Sequence, residues 1–276
     1  MNRLFNKRFD LVLPIGAGCP TAISLGHCKM RLASSPFDWI KFERRESIIE
    51  LFERRFSDFM QLEDLVEVDS NSINRIVRNQ RWTYCSFHDF SLEKSLDEET
   101  QDVAEKYNRR IMRLLNRLDS GCEVLLLWMD YPKEENVISE EELCGMLERI
   151  QRAYPLSSFS LLYLHNDNNK SYVDRIEEFV TEKIIRCAFR YDAMNLERTY
   201  AVEEDLMVLV LNRITLTNKF FNSKSYRRYL RFKRNVGLNE QEWLERIHFA
   251  KEILVKKVMK KRLIWRITYW ISKIIS

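Results

Sequence analysis

The sequence predicts an α/β protein with a mainly parallel sheet flanked by helices and a helical C-terminal extension. Three observations carry this expectation: apolar runs of strand length, amphipathic stretches between them, and a shift to basic, aromatic-rich composition after residue 215. The 276 residues are 45% hydrophobic, enough for a sizeable core.

The elements follow in order. Phe9 to Ile15 is a continuous apolar strand that ends in Gly16 and Gly18, and Pro20 to Lys29 reads as a helix behind it. Arg45 to Phe59 and Glu98 to Leu118 are amphipathic helices, the second preceded by acids that suit a helix dipole. Val124 to Met129, Phe159 to His165 and Ile184 to Phe189 are apolar or β-branched strands suited to a sheet covered on both faces. Ser139 to Ala153 opens on a capping-box pattern, with Glu142 three residues after Ser139, and Tyr172 to Thr181 reads as a further helix. Strands alternating with helices argue for parallel pairing. Residues 1–215 form the expected α/β domain and 216–276 the extension.

In the extension, Lys224, Arg227, Arg228, Arg231, Lys233 and Arg234 interleave with Tyr226, Tyr229 and Phe232. From 254 to 275, Leu263, Ile267, Trp270, Ile271 and Ile274 share one helical face. Residues 255–276 hold seven Lys or Arg and no acid, which leaves 38 basic against 41 acidic residues in the body. Nucleic acid is therefore not the expected partner. The tail is too charged to span a bilayer and fits either an anionic membrane surface or a packing face on protein; the expected location is cytoplasmic, and on the first of these alternatives peripheral at the inner face of the membrane.

Six cysteines, at 19, 28, 85, 122, 144 and 187, show no C-x-x-C pair and no zinc spacing, so no metal is expected and reduced thiols are. The chain has no Walker sequence, no dinucleotide-binding glycine turn and no H-E-x-x-H, and no cofactor is expected.

Chemistry concentrates where strands end, since ligands of parallel sheets bind beyond the carboxyl ends of the strands. There lie the Gly16–Cys19 turn, Asp130, and His165 followed by Asn166 and Asp167. Cys19 is a thiol at a helix start, where backbone N–H groups favour a thiolate; the bland reading is a packing cysteine in a turn. Ser35-Pro36-Phe37-Asp38-Trp39 and Phe87-His88-Asp89-Phe90 set polar groups between aromatics, either as hydrogen-bonded core groups or as tuned site groups. Arg109, Arg110 and Arg113 could bind an anion such as a phosphate or a sugar carboxylate, or form a solvated face that pairs with Glu105.

Gly16 to Ala22 in the pattern G-x-x-C-x-x-A, then Arg31, then Ser35 to Trp39, then Phe87-His88-Asp89-Phe90, resembles the bacterial family of unknown function described as putative papain-like cysteine peptidases. The resemblance covers about residues 9 to 190. It implies a cysteine nucleophile at Cys19 and a histidine base at His88. Asp38 is the preferred third member; Asp89, next to His88, would point to the opposite face of a strand. The Gly18 and Cys19 N–H groups are the oxyanion-hole candidates. His165, 146 residues after Cys19, competes by spacing with His88, 69 residues after it, and Asp89 and Asp130 rank behind Asp38 as candidate carboxylates.

Two functions from different classes follow. One is a cysteine-dependent hydrolase or acyltransferase acting on a peptide or amide bond through a Cys19–His88 pair. The second is a non-catalytic module that binds a glycan, nucleotide-sugar or protein partner, associated with assembly of bacterial envelope polysaccharide.

Overall fold

A computed structural model of the chain describes residues 3–16, 18–28, 30–130, 137–167, 175–189, 210–211 and 213–217. The chain divides into two compact units, 1–219 and 220–276, and every described residue belongs to the first. The expected basic extension, with its amphipathic stretch at 254–275, lies outside the described residues apart from positions 216 and 217.

In chain order the elements are α1 (Arg3–Asn6), β1 (Arg8–Phe9), β2 (Leu11–Gly16), α2 (Cys19–His27), β3 (Ile40–Phe42), α3 (Arg45–Glu53), β4 (Leu65–Ser70), β5 (Asn74–Asn79), β6 (Tyr84–Ser91), α4 (Leu96–Asp119), β7 (Glu123–Met129), α5 (Glu140–Ala153), β8 (Ser158–Asn166), β9 (Arg175–Thr181), β10 (Ile184–Phe189) and β11 (Thr215–Leu216). The central sheet has the order β2-β7-β8-β10-β9, and its first four strands are parallel. A second sheet, β3-β6-β5-β4, is antiparallel throughout, and β1 pairs with β11 in parallel.

The central strands are apolar because both faces are buried. Leu11, Leu13 and Ile15 of β2, Val124, Leu126 and Trp128 of β7, and Phe159, Leu161 and Tyr163 of β8 enter one cluster, which α3, α4 and α5 cover. The alternate residues, Val12, Leu125, Leu127, Met129, Leu162 and Leu164, enter a second cluster with Leu25 of α2 and with Val210, Leu211 and Leu216. One strand therefore feeds two cores, as the period of two requires. Pro14 lies within β2, and its missing N–H is tolerated because β2 is an edge strand.

Three features depart from the sequence expectation. Residues 175–181 form β9, an antiparallel partner of β10 joined to it through Glu182 and Lys183, where the sequence predicts a helix from Tyr172 to Thr181. Ile176, Phe179 and Val180 fit a helical face and a strand alike, and pairing with β10 decides between them. The Arg45 to Phe59 helix stops at Glu53, and Arg55, Phe56 and Asp58 take left-handed backbone while Phe56 packs on Phe37 and Phe52. The sheet is also less purely parallel than expected, since β4, β5 and β6 build a separate antiparallel layer. β4 shows only Leu65 to the core, and such a strand offers little apolar alternation to read.

The capping chemistry is placed slightly differently as well. Ser139 accepts from the Glu142 N–H at 3.2 Å, while the full two-way box stands at Ser95 and Glu98 at the start of α4.

Two glycines separate backbone requirement from mere presence. Gly16 has φ +92°, and a Cβ there would lie 2.5 Å from the Met129 carbonyl oxygen; Gly26, in α2, has open space where a Cβ would go. Gly16→Ala should cost about 2 kcal/mol or more, whereas Gly26→Ala should be neutral or stabilise by about 0.5–1 kcal/mol. Urea denaturation of the two variants reads the contrast, and equal effects would contradict it.

Candidate functional site

The turn from β2 into α2 is built on glycine. Gly18 sits at φ 60°, ψ −116°, a conformation closed to residues with a side chain, and it acts as N-cap of α2 while its carbonyl accepts the first helical bond from Ala22 N–H at 3.2 Å. Cys19 is thereby the first helical residue, half-buried, with Pro20 behind it. Burial raises the Cys19 thiol, its own backbone amide offsets this only in part, and the charges of Asp38 and Asp89 add to burial. The thiol is pushed up to about 11 from 9.0. Cys19 is thus a neutral thiol at neutral pH, placed where two carboxylates reach it electrostatically.

Asp38 is fully buried and held on one oxygen. The Arg31 Nε donates to Oδ2 at 3.0 Å, the Arg31 Nη2 donates to the same atom, and the Ser35 N–H donates to it at 2.9 Å. The second oxygen, Oδ1, is buried without a hydrogen-bond partner. Burial pushes the carboxyl up, and Arg31 with the Ser35 N–H offsets this only in part, so the net value stands above the ordinary one. Arg31 also donates to Ser34 Oγ at 3.1 Å and lies over the Trp39 ring, 5.3 Å from its centroid. Phe37, between these polar residues, packs against Phe42, Phe52 and Phe56, so the loop is anchored by an aromatic.

The second carboxylate depends on an irregularity in β6. Pairing with β5 passes from Phe90–Arg75 to Ser86–Val77, so Phe87, His88 and Asp89 stand opposite Ile76 alone. Such a bulge re-aims side chains. Asp89 turns inward, with its side chain 4% exposed, and accepts from Ser86 Oγ at 2.6 Å, Lys106 Nζ at 2.6 Å and Tyr107 Oη at 2.7 Å. Burial pushes this carboxyl up, but Lys106 and the two hydroxyls outweigh it and leave it below its ordinary value. The two acids that act on Cys19 are thus driven in opposite directions.

His88, the neighbour of Asp89, is exposed, and its ring meets Trp39 edge-on at 6.3 Å. Asp38 and Asp89 thus act on Cys19 through their charge, whereas His88 is exposed beside Trp39. Asp130 and His165 belong to another cluster, built around Tyr163 at the ends of β7 and β8. Tyr163 donates to Asp130 Oδ2, Trp128 Nε1 donates to Oδ1 at 3.2 Å, Arg45 lies 3.9 Å from Oδ1, and His165 stacks on Tyr163 at 5.6 Å. β7 separates β8 from β2, and two strand spacings set the end of β8 about 10 Å across the sheet from β2.

Sequence reasoning singled out neither Lys106 nor Tyr107. Tyr107 lies in the apolar stripe of α4 with Val103, Ile111 and Leu118, and its hydroxyl is the polar part of that stripe that meets Asp89. Its spacing shows a core residue, and only the fold shows what its hydroxyl meets. Among the described residues no group of His, Cys, Asp and Glu side chains is arranged to hold a metal ion. Also among them, no helix is long and apolar enough to cross a membrane.

These features define an α/β protein with a helix-terminal thiol that feels the charge of two buried carboxylates. The chain belongs to the family described as "Putative papain-like cysteine peptidase (DUF1796)", whose sequence model matches residues 10–169, more than half of the chain. It is also similar to an uncharacterized protein of Acanthamoeba polyphaga mimivirus, 28% identical over 191 residues, covering 61% of this chain and 84% of the viral protein. That relative is viral, and the expectation of a bacterial source gains nothing from it. No solved structure matches the chain.

Two outcomes follow from the charges. Asp38→Asn removes a negative charge that raises the thiol and releases Arg31, so the pH midpoint for alkylation of Cys19 by iodoacetamide should fall from about 11 in the wild type; mass-spectrometric rates against pH read this, and an unchanged or higher midpoint would contradict it. For Asp89, whose folded value is lowered, the contribution to stability is present above about pH 3.9 and is lost as pH falls through the folded value. Lys106→Met leaves that carboxylate without its cation and should cost about 2 kcal/mol at pH 7, less than a fully buried pair because Lys106 is partly exposed, and should flatten the acid limb of the stability curve.

Proposed function

We propose that the chain is a cysteine-dependent hydrolase or acyltransferase that acts on a peptide or amide bond through Cys19. The observation that carries this reading is the Gly18-capped start of α2, which puts the thiol at a helix N-terminus, where it feels the charge of two buried acids shifted in opposite directions. Membership of the peptidase-described family supports it.

A neutral thiol needs a base at the moment of attack. His88 takes the Cys19 proton as sulfur bonds to the substrate carbonyl carbon, then returns it to the departing nitrogen as the C–N bond breaks. Water next attacks the thioester, releases the acid and restores the thiol; a second nucleophile in place of water gives acyl transfer. This step requires His88 to leave its edge contact with Trp39 and face the sulfur. Asp38, whose Oδ1 has no hydrogen-bond partner, takes the role of holding the imidazolium that forms. The Gly18 and Cys19 N–H groups would face the developing oxyanion.

The binding-module reading has its own support, namely the thiol raised to about 11 and the outward position of His88. An association of residues 255–276 with an anionic membrane surface is compatible with either reading and rests on sequence alone.

Incubation with p-nitrophenyl acetate separates the two. Catalysis predicts an acetyl adduct on Cys19 in intact-mass spectra, absent in Cys19→Ala, with turnover lowered about 100-fold or more in His88→Ala. An adduct that never forms, or turnover indifferent to His88, would leave the binding module as the function.

A further inference from the structure

We infer that Arg110 is the specificity-determining residue of the Cys19 site and selects acidic peptides or amides by pairing with a carboxylate on the acyl side of the substrate. This rests on the reading of Cys19 as the nucleophile.

Three cations surround the two buried acids, and two of them are already used. Arg31 is held by Asp38 and Lys106 by Asp89. Arg110, one helical turn after Lys106, lies on the Tyr107 ring with its guanidinium carbon 4.9 Å from the centroid. Among the described residues it forms no ion pair with any carboxylate, and its Nη1 is buried without a hydrogen-bond partner. A half-buried guanidinium left in this state is costly, and the cost falls away when a ligand supplies the anion. Its neighbour Arg109 behaves differently: it is exposed and pairs within the helix with Glu105 at 3.8 Å. Arg113, the third of the run, is exposed and donates to the Ser34 carbonyl at 3.1 Å, which leaves Arg110 as the member without such a partner.

The location ties Arg110 to the thiol. Tyr107, on which it rests, donates to Asp89, and the Arg110 charge reaches Asp38; those are the two acids that act on Cys19. An acidic residue within a peptide or amide offers its side-chain carboxylate to the guanidinium as a charge-assisted contact. A phosphate would satisfy the arginine as well, and it is the peptide or amide substrate of the Cys19 reading that favours the carboxylate.

The test is a titration of the full chain carrying Cys19→Ser with N-acetylglutamyl amide and with the neutral N-acetylglutaminyl amide, read by isothermal calorimetry or saturation-transfer NMR. The acidic ligand should bind about tenfold more tightly, as a charge-assisted bidentate contact provides. Arg110→Gln in the same background should abolish the preference while leaving the neutral ligand unchanged. Arg110→Lys, which keeps the aliphatic stem on Tyr107 and one charge, should retain part of it and guards against misfolding of the glutamine variant. Equal affinity for the two ligands, no binding of either, or a preference that survives Arg110→Gln would overturn the assignment. Because the readout is binding in a chain without the thiol, loss of the acyl-transfer reading in the p-nitrophenyl acetate experiment would be a separate result.

Discussion

The arrangement around Cys19 depends on keeping two carboxylates out of water. Leaving a buried charge uncompensated costs about 3–5 kcal/mol, whereas an exposed ion pair contributes about 0–1 kcal/mol. Much of the local structure compensates Asp38 and Asp89. The loop from Arg31 to Trp39 folds back so that Arg31 and the Ser35 N–H converge on one oxygen of Asp38. The bulge in β6 brings Asp89 under α4, and the register of α4 then presents Lys106 and Tyr107 together. The surface pairs Arg54–Asp58 and Arg109–Glu105, at 4.0 and 3.8 Å, could be lost with little consequence.

The two acids are compensated to different extents, and the difference has chemical content. Asp89 receives three donors and is fixed as an anion. Asp38 receives its donors on one oxygen only and is left nearer to protonation. A fully satisfied carboxylate orients its neighbours and does little else, while a partly satisfied one can accept a proton or a hydrogen bond from what arrives. The molecule thus commits one acid to structure and keeps the second, whose charge reaches the thiol, available.

Much of the fold is legible because burial on two faces leaves a plain trace. The runs at 124–129, 159–165 and 184–189 appear as β7, β8 and β10 with ends shifted by no more than one residue. The antiparallel layer is not legible, since β4 exposes Val66 and Val68 and its place is decided by pairing with β5. The stretch at 175–181 misleads for a related reason: Ile176, Phe179 and Val180 fit two periodicities in the sequence, and pairing with β10 chooses between them. In the site, Cys19 and Asp38 can be picked out from local pattern alone. Lys106, Tyr107 and the inward turn of Asp89 cannot, because each depends on contact between segments 17 or 18 positions apart across a bulge.

Position and activation are separate properties of a thiol, and this protein displays them separately. A helix N-terminus stabilises a thiolate by a partial positive charge whose effect fades within a turn, whereas burial and two neighbouring anions act on the sulfur directly. The second set wins, so the helix start serves to aim the sulfur and not to ionise it. An enzyme built on such a neutral thiol resembles a serine hydrolase in its demands more than one with a preformed thiolate and imidazolium: the base must be in place when the bond forms. On the proposed mechanism that base is His88, which stands exposed against Trp39. The cation over that same tryptophan is Arg31, the partner of Asp38, so a change at His88 is felt, through a single aromatic ring, by the acid whose charge acts on the sulfur.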